Sequence, residues 1–201
     1  MAANTGGTDA HKPYVETEIK LRWGREPEAA VRMLEEHGYS VIESRTLEAD
    51  QLFDREGDQL RAAAKLLRLR RTGGRATVTY KGPPAGGRHK SREEIEFDAS
   101  DAGAFTRVLD RLGYAPTFRY EKYRTKYAIP GEPGFVTVDE TPIGTFLELE
   151  GLAEWIDRTA ARLGFAQSAY VTASYAALYR EYRQSRPEAP ANMVFSSEDS
   201  L

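Results

Sequence analysis

Val15-Glu16-Thr17-Glu18-Ile19-Lys20-Leu21-Arg22-Trp23 carries a charge on every second residue and mostly apolar side chains in the gaps. In an extended strand, alternate side chains leave opposite faces. Glu16, Glu18, Lys20 and Arg22 therefore share one face, and Val15, Ile19, Leu21 and Trp23 share the other. One such strand by itself reads as a sheet edge with a wet face. Two carboxylates beside two cations also suit a site that holds a metal ion and an anion together.

The pattern recurs along the chain. Arg68 and Arg70 oppose Leu67 and Leu69, and Thr77, Thr79 and Lys81 oppose Ala76, Val78 and Tyr80. Lys90, Arg92, Glu94 and Glu96 oppose Ile95 and Phe97. Lys122, Arg124 and Lys126 lie opposite Tyr123, Thr125 and Tyr127. Thr137 and Asp139 oppose Val136 and Val138, and Glu148 and Glu150 oppose Leu147 and Leu149. An ordinary solvated face mixes Ser, Thr, Asn and Gln with its charges, whereas this one is almost purely ionic. If the sheet closes with that face inward, the interior is a charged tunnel, and unpaired charges there would be very costly. A polyanion with bound cations would neutralise the lysines and arginines while the carboxylates hold the cations. The pattern alone leaves this tunnel level with an open, one-sided sheet.

The chain has 201 residues, which suits one domain with a buried core. Charged residues make up 29%, yet the net charge is only -3, so it lacks the basic excess that nonspecific nucleic-acid binding needs. The absence of cysteine excludes disulfides, thiolate catalysis and cysteine-ligated metals. Three scattered histidines argue against a histidine site, so a metal here would sit on carboxylates, as Mg²⁺, Mn²⁺ or Ca²⁺ do. No apolar run reaches the ~20 residues of a membrane span, and the start lacks a signal-peptide layout. A cytoplasmic protein without nucleic-acid or membrane partners is expected.

Residues 1–12 are small and polar and are expected to form a disordered arm. A single domain is expected over 13–184, with a flexible tail over 185–201. Helices are expected from Pro27 to Gly38, from Ser100 or Asp101 to Gly113, over Leu152–Leu163 and over Val171–Gln184. Leu152, Trp155, Ile156 and Leu163 form the apolar stripe of the third. Strand segments run over Tyr14–Trp23, Tyr39–Thr46, Gln51–Asp54, Lys65–Arg71, Ala76–Lys81, His89–Phe97, Phe118–Ile129, Phe135–Glu140 and Thr145–Glu150, with a Gly73-Gly74 hairpin turn. The sum is an antiparallel sheet of about eight strands with several helices.

These residues resemble the CYTH superfamily, which includes class IV adenylate cyclases and thiamine triphosphatases and is also called the triphosphate tunnel metalloenzymes. Its Glu-x-Glu-x-Lys is Glu16, Glu18 and Lys20; its Leu-Arg-Leu-Arg is Leu67–Arg70; its Thr-x-Lys-Gly-Pro is Thr79–Pro83. Arg92, Glu94 and Glu96 follow, then Glu121–Arg124, and then the Asp139 to Glu150 ending. Ser174-Tyr175 with Leu178 resembles the end of the cyclase-like branch.

The resemblance implies an α+β fold, an eight-stranded closed antiparallel β-barrel with flanking helices. Triphosphate would bind inside with Mg²⁺ or Mn²⁺. It implies Glu16, Glu18, Glu148 and Glu150 as metal ligands, Asp139 as a further one, and Glu94 and Glu96 as either second-metal ligands or partners that orient the arginines. Lys20, Arg68, Arg70, Lys81, Arg92, Lys122 and Arg124 would cradle phosphate, with Glu16, Glu18, Lys20 and Lys81 at the catalytic centre. Arg22, Lys90 and Lys126 share the parity but are expected nearer the mouth. Removing Arg70 is expected to relieve repulsion among cations.

The leading activity is hydrolysis of the terminal phosphate of tripolyphosphate, thiamine triphosphate or ATP by a monomer or homodimer. The alternative is cyclisation of ATP to cyclic AMP and pyrophosphate, and the third reading is a non-catalytic polyphosphate or nucleotide binder.

Overall fold

The computed structural model describes residues 14–196. Eight strands form: β1 (Tyr14–Trp23), β2 (Ser40–Arg55), β3 (Leu66–Thr72), β4 (Arg75–Lys81), β5 (Lys90–Asp98), β6 (Tyr114–Ala128), β7 (Gly134–Thr141) and β8 (Gly144–Gly151). All neighbours are antiparallel, in the order β1-β5-β4-β3-β2-β6-β7-β8, and β8 pairs back onto β1 to close the barrel. The expected α+β architecture is the one the chain adopts.

Five helices flank the barrel: α1 (Pro27–Glu36), α2 (Gln59–Ala62), α3 (Ala102–Arg111), α4 (Ala153–Arg162) and α5 (Tyr175–Gln184). The dry core lies outside the barrel wall. Ile19, Leu21, Val136, Val138, Leu147 and Leu149, the apolar alternates of β1, β7 and β8, pack on Leu34 of α1 and on Trp155 and Ile156 of α4. Trp155 lies so close over Gly134 that a Cβ there would stand 2.5 Å from the ring. Leu69 and Val78 pack on Leu109 of α3, a helix that Asp101 caps by accepting a hydrogen bond from the Ala104 N–H. With the apolar alternates turned outward under helices, period-two geometry leaves the charged alternates in the lumen.

One end of the barrel is filled by α5. Tyr175 and Leu178 pack there against Tyr120 and Phe146, with Met193 beside them. Two backbone clasps hold this plug. Val171 exchanges both backbone hydrogen bonds with Lys20, each at 2.9 Å, covering β1 where it has run past its β5 partner. Met193 bonds to Arg119 and Glu121 on β6, N-terminal to where β7 begins to pair.

Five details differ from the sequence reading. β2 is one 16-residue strand rather than two segments, and α2 was not foreseen. The expected helix from Val171 begins only at Tyr175, because Val171 is used as a strand clasp and Ser174 caps α5 by accepting from the Ala177 N–H. Leu152, placed in the apolar stripe of α4, is 66% exposed; it is the N-cap residue, and the helix turns it away from the core. Finally, part of the expected flexible tail is packed, around Met193. Met193 is fully buried, Phe195 lies against Tyr123, and Pro190 accepts a hydrogen bond from Tyr179. The expected arm over 1–12 and residues 197–201 lie outside the described residues.

Candidate active site

The lumen holds a cavity of about 600 Å³ lined mainly by Lys, Arg and Glu, with Tyr14, Tyr120, Phe135 and Tyr175 among them. Register places opposite charges face to face on adjoining strands. Glu16 meets Arg92, and Glu18 meets Lys90 across β1–β5. Lys20 meets Glu148 across β1–β8, and Asp50 meets Arg70 across β2–β3. Lys81 meets Glu94, Glu48 meets Lys122, and Arg124 meets Asp139. Such cross-strand pairs help fix strand register.

The contacts are close. Lys81 donates to both oxygens of Glu16 at 2.6 Å. Lys90 and Lys20 both donate to Glu18 Oε1, at 2.6 and 3.1 Å. Asp139 is fully buried and accepts from Lys122 at 2.8 Å, from Arg124 Nε at 2.6 Å and from the Tyr175 hydroxyl at 2.7 Å. Arg124 also reaches Glu148 at 2.8 Å. The Tyr175 ring stands 5.3 Å below Lys20 Nζ and 5.1 Å from Lys122 Nζ, adding cation–π attraction at the closed end.

Two donors and one acceptor on this wall are buried without a hydrogen-bond partner among the described residues: Arg68 Nε, Arg92 Nε and Glu48 Oε2. Arg68 Nε is 3.4 Å from Asp50, and Arg92 Nε is 3.5 Å from Glu16, both beyond good hydrogen-bond geometry. Buried donors left open in this way are prepared for an acceptor from outside the chain.

The acids divide into two groups. Burial pushes the Glu18 carboxyl up, but Lys20 and Lys90 more than offset it and hold it well below the usual range. Asp139 is likewise held down, by Arg124 and Lys122 against the cost of burial. Glu148 and Glu150 go the other way, each to about 7. Burial is the main cause for both; the charge of Glu18 adds to it at Glu148, and those of Glu16 and Glu18 at Glu150. The wall where β1 meets β8 is thus overcrowded with carboxylates, and a hard divalent cation is the group that would relieve it. Among the described residues no three carboxylates or histidines already converge as a coordination cage, because lysines hold Glu16 and Glu18.

The sequence-selected residues therefore fall into distinct places. Glu16, Glu18, Lys20, Arg68, Arg70, Lys81, Arg92, Lys122, Arg124, Glu148 and Glu150 all line the cavity. Asp139 does not; it is fully buried at the α5 end, where it holds Lys122, Arg124 and Tyr175. Glu94 and Glu96 line the cavity too; Glu94 lies 3.1 Å from Lys81 Nζ, and Glu96 accepts from Thr79 and lies 3.6 Å from Arg68, so each stands beside a cation. Arg70 binds Asp50 through two nitrogens at 2.9 and 3.2 Å and Glu48 at 3.0 Å. The expected relief of repulsion on removing Arg70 is overturned, since its removal would strand buried acids.

Lys90, expected near the mouth, is buried against Glu18. Glu48 and Asp50 were missed because the reading broke β2 at residues 47–50. A continuous strand would have put both on the inward parity. Tyr175 carried a signal in the Ser-Tyr pair, but no periodicity connects it to the barrel.

The chain matches the CYTH domain family over residues 15–161. It is 31% identical over 137 residues, 68% of this chain and 76% of the other, to a protein of Methanocaldococcus jannaschii named as a candidate adenylate cyclase. In fold it is similar to a candidate adenylate cyclase from Vibrio parahaemolyticus (TM-score 0.72, 19% identity, 84% of this chain and 99% of that one). It is also similar to an adenylyl cyclase candidate from Hippeastrum described as revealing a dominant triphosphatase activity (TM-score 0.59, 16% identity, 84% and 95%). Family match and barrel agree: this chain belongs to the CYTH domain family.

Proposed function

We propose that this protein is a divalent-metal-dependent enzyme that hydrolyses the terminal phosphate of a triphosphate held in the barrel. The observation that carries the reading is the pairing of open, buried arginine donors on one wall with crowded, proton-hungry carboxylates on another. A triphosphate and its counter-cation complete both sets at once. Arg68 and Arg92 offer their free Nε–H groups to phosphate oxygens, and Lys122 and Arg124 are held ready for the same task by Asp139. Phosphoryl transfer asks a protein chiefly for such positioning and charge neutralisation. Glu16, Glu18, Glu148 and Glu150 would hold Mg²⁺ or Mn²⁺, which supplies Lewis-acid charge and lowers the pKa of a bound water. Tyr175, Phe146 and Tyr120 close the far end against bulk water.

The cyclase reading has its own support in the 31% identical relative named as a candidate adenylate cyclase. Both reactions use the same cation wall and differ in which phosphorus meets the nucleophile. The deciding experiment incubates the protein with tripolyphosphate, thiamine triphosphate and ATP plus Mg²⁺ or Mn²⁺, and separates orthophosphate, pyrophosphate and cyclic AMP. Orthophosphate as the dominant product, lost with EDTA, is expected. Cyclic AMP with equimolar pyrophosphate would establish the cyclase, and metal-independent binding without turnover would reduce the protein to a binder.

Arg92→Ala separates ligand donors from structural ones. The nearest acid, Glu16, stands 3.5 Å from Arg92 Nε without a hydrogen bond to it, so the melting temperature should change little. Tripolyphosphate binding should weaken by about 1.5–3 kcal/mol, the range for a hydrogen bond to a charged group, as read by calorimetric titration. A large loss of stability with unaltered affinity would make Arg92 a framework residue.

A further inference from the structure

Between β4 and β5 runs Gly82-Pro83-Pro84-Ala85-Gly86-Gly87-Arg88-His89, a loop flanked by two cavity lysines: Lys81 closes β4 and Lys90 opens β5. Three glycines in eight residues make such a segment costly to order. Two backbone hydrogen bonds fold its first half along β5, from the Gly82 N–H to the Glu93 carbonyl at 2.9 Å and from the Ala85 N–H to the Ser91 carbonyl at 2.8 Å. Neither involves residues 86–89, which lead directly into Lys90.

That stretch is held by a side chain from another element. Asp157 of α4 accepts from His89 Nε2 at 2.8 Å, from Arg88 at 2.9 Å and from the Tyr170 hydroxyl at 3.0 Å. Arg88 is mostly exposed, so its share of the hold is small. The His89 side chain is only 10% exposed, and its ring stands 5.9 Å from that of Tyr170. Burial raises the Asp157 carboxyl, but the hydrogen bonds from His89 and Tyr170 more than offset it, and the group stays ionised. Both ring partners lie one residue from a contact with the lumen. His89 precedes Lys90, whose Nζ donates to Glu18 Oε1 at 2.6 Å. Tyr170 precedes Val171, whose backbone exchanges two hydrogen bonds with Lys20, and Lys20 Nζ reaches the same Glu18 oxygen at 3.1 Å. One carboxylate on a flanking helix thus holds two chain segments that lead to the two lysines on Glu18.

We propose that Asp157 is a positioning residue for the phosphate site, holding Lys90 and Lys20 against Glu18 through His89 and Tyr170, an assignment that rests on the triphosphate reading above. Asp157 does not line the cavity, so its effect passes through the backbone of its partners. Lys90 is the more sensitive branch. It is the first residue of β5 and stands at the end of the β1–β5 ladder, whereas Lys20 is also paired inside the β1–β8 ladder. Freed from Asp157, the glycine-rich loop lets Lys90 draw back from Glu18, and a misplacement of about 1 Å at a charged site can cost on the order of 100-fold in rate.

The test compares the full-length wild type with Asp157→Ala and Glu132→Ala in two measurements. Glu132 accepts from Trp155 and Arg162 of α4, so its removal loosens the same helix without touching the loop. In the ligand-free protein, amine acylation mapped by peptide should run at least fivefold faster at Lys90 in Asp157→Ala and be unchanged in Glu132→Ala. Calorimetric titration with tripolyphosphate and Mg²⁺ should show at least fivefold weaker binding for Asp157→Ala alone. Asp157→Asn, whose amide oxygen still accepts from His89 and Tyr170, should stay within twofold of wild type. In a Lys90→Met background, adding Asp157→Ala should change affinity less than twofold, the non-additivity of a residue that acts through another. Unchanged Lys90 labelling, unchanged affinity, equal effects from Glu132→Ala, or a loss additive with Lys90→Met would each overturn the assignment. Faster Lys90 labelling in Asp157→Ala, beside a wild type that binds no tripolyphosphate, would place the fault in the triphosphate reading itself, and the role of Asp157 at a phosphate site would fall with it.

Discussion

Glu148→Gln is expected to lower Mg²⁺-supported turnover of the preferred triphosphate by roughly 100-fold at pH 8, a loss on the scale of removing one preorganised electrostatic group from a phosphoryl-transfer site. The substitution keeps the shape of the side chain and removes its charge. The size of the effect should depend on pH. The Glu148 carboxyl is pushed up to about 7, first by burial and then by Glu18, with Lys20 and Arg124 opposing. Below pH 7 the wild-type carboxyl is protonated in the metal-free protein and resembles the neutral amide. Above it, the carboxylate carries the charge that a cation needs. At limiting Mg²⁺ the wild-type rate should rise with pH from 6 to 8 while that of Glu148→Gln rises less, so the gap between them narrows toward pH 6. At saturating Mg²⁺ the wild-type profile should shift to lower pH, because the metal competes with the proton. Rates measured across both Mg²⁺ regimes check this. A variant that keeps full activity at pH 8, or that loses the same factor at every pH and metal concentration, would remove Glu148 from the metal site.

The barrel was legible in the sequence because two signals agreed. Period-two alternation assigned each strand a charged and an apolar face, and the family motifs fell in order along the same segments. Where either signal lapsed, the reading lapsed with it. Leu47-Glu48-Ala49-Asp50 carries the same alternation but sits between two segments read separately, so two buried acids of the wall escaped notice. Lys90 had the right parity, but parity says nothing about depth. Its place beside Glu18 follows from the β1–β5 stagger, which is a tertiary fact. The tail segment around Met193 shows neither a 2 nor a 3.6 period, and its packing depends on an open stretch of β6 that exists only once the barrel has closed. The roles within the site were the least legible part. Arg70 and Arg92 look alike in sequence, and only the positions of Asp50, Glu48 and Glu16 leave the first held by two acids and the second with an open Nε–H.

Asp139→Ala should be the most destabilising single change in the lumen. Asp139 is completely buried, and its carboxylate accepts from Lys122, Arg124 and Tyr175. Removing it strands two buried cations and a hydroxyl, and breaking a buried ion pair from one side costs about 3–5 kcal/mol. For a domain of this size each kcal/mol moves the melting temperature by about 2–4 °C, so a fall of roughly 10 °C or more is expected in a thermal scan without ligand. The pH dependence should be opposite in character to that of Glu148. The Asp139 carboxyl is held well below its ordinary 3.8, against burial, by Arg124 and Lys122. Its contribution is therefore present above about pH 4 and lost only as pH falls through the depressed folded-state value. The wild-type-to-variant gap should stay flat from pH 5 to 8, where the Glu148 effect changes most. Pairing Asp139→Leu with Lys122→Met, which replaces the ion pair by apolar volume, should recover part of the lost stability while leaving phosphate binding impaired. Recovery of stability without loss of tripolyphosphate affinity would mean that Lys122 serves the fold alone, and a melting temperature within 2 °C of wild type for Asp139→Ala would mean that the lumenal charges are far better solvated than their burial implies.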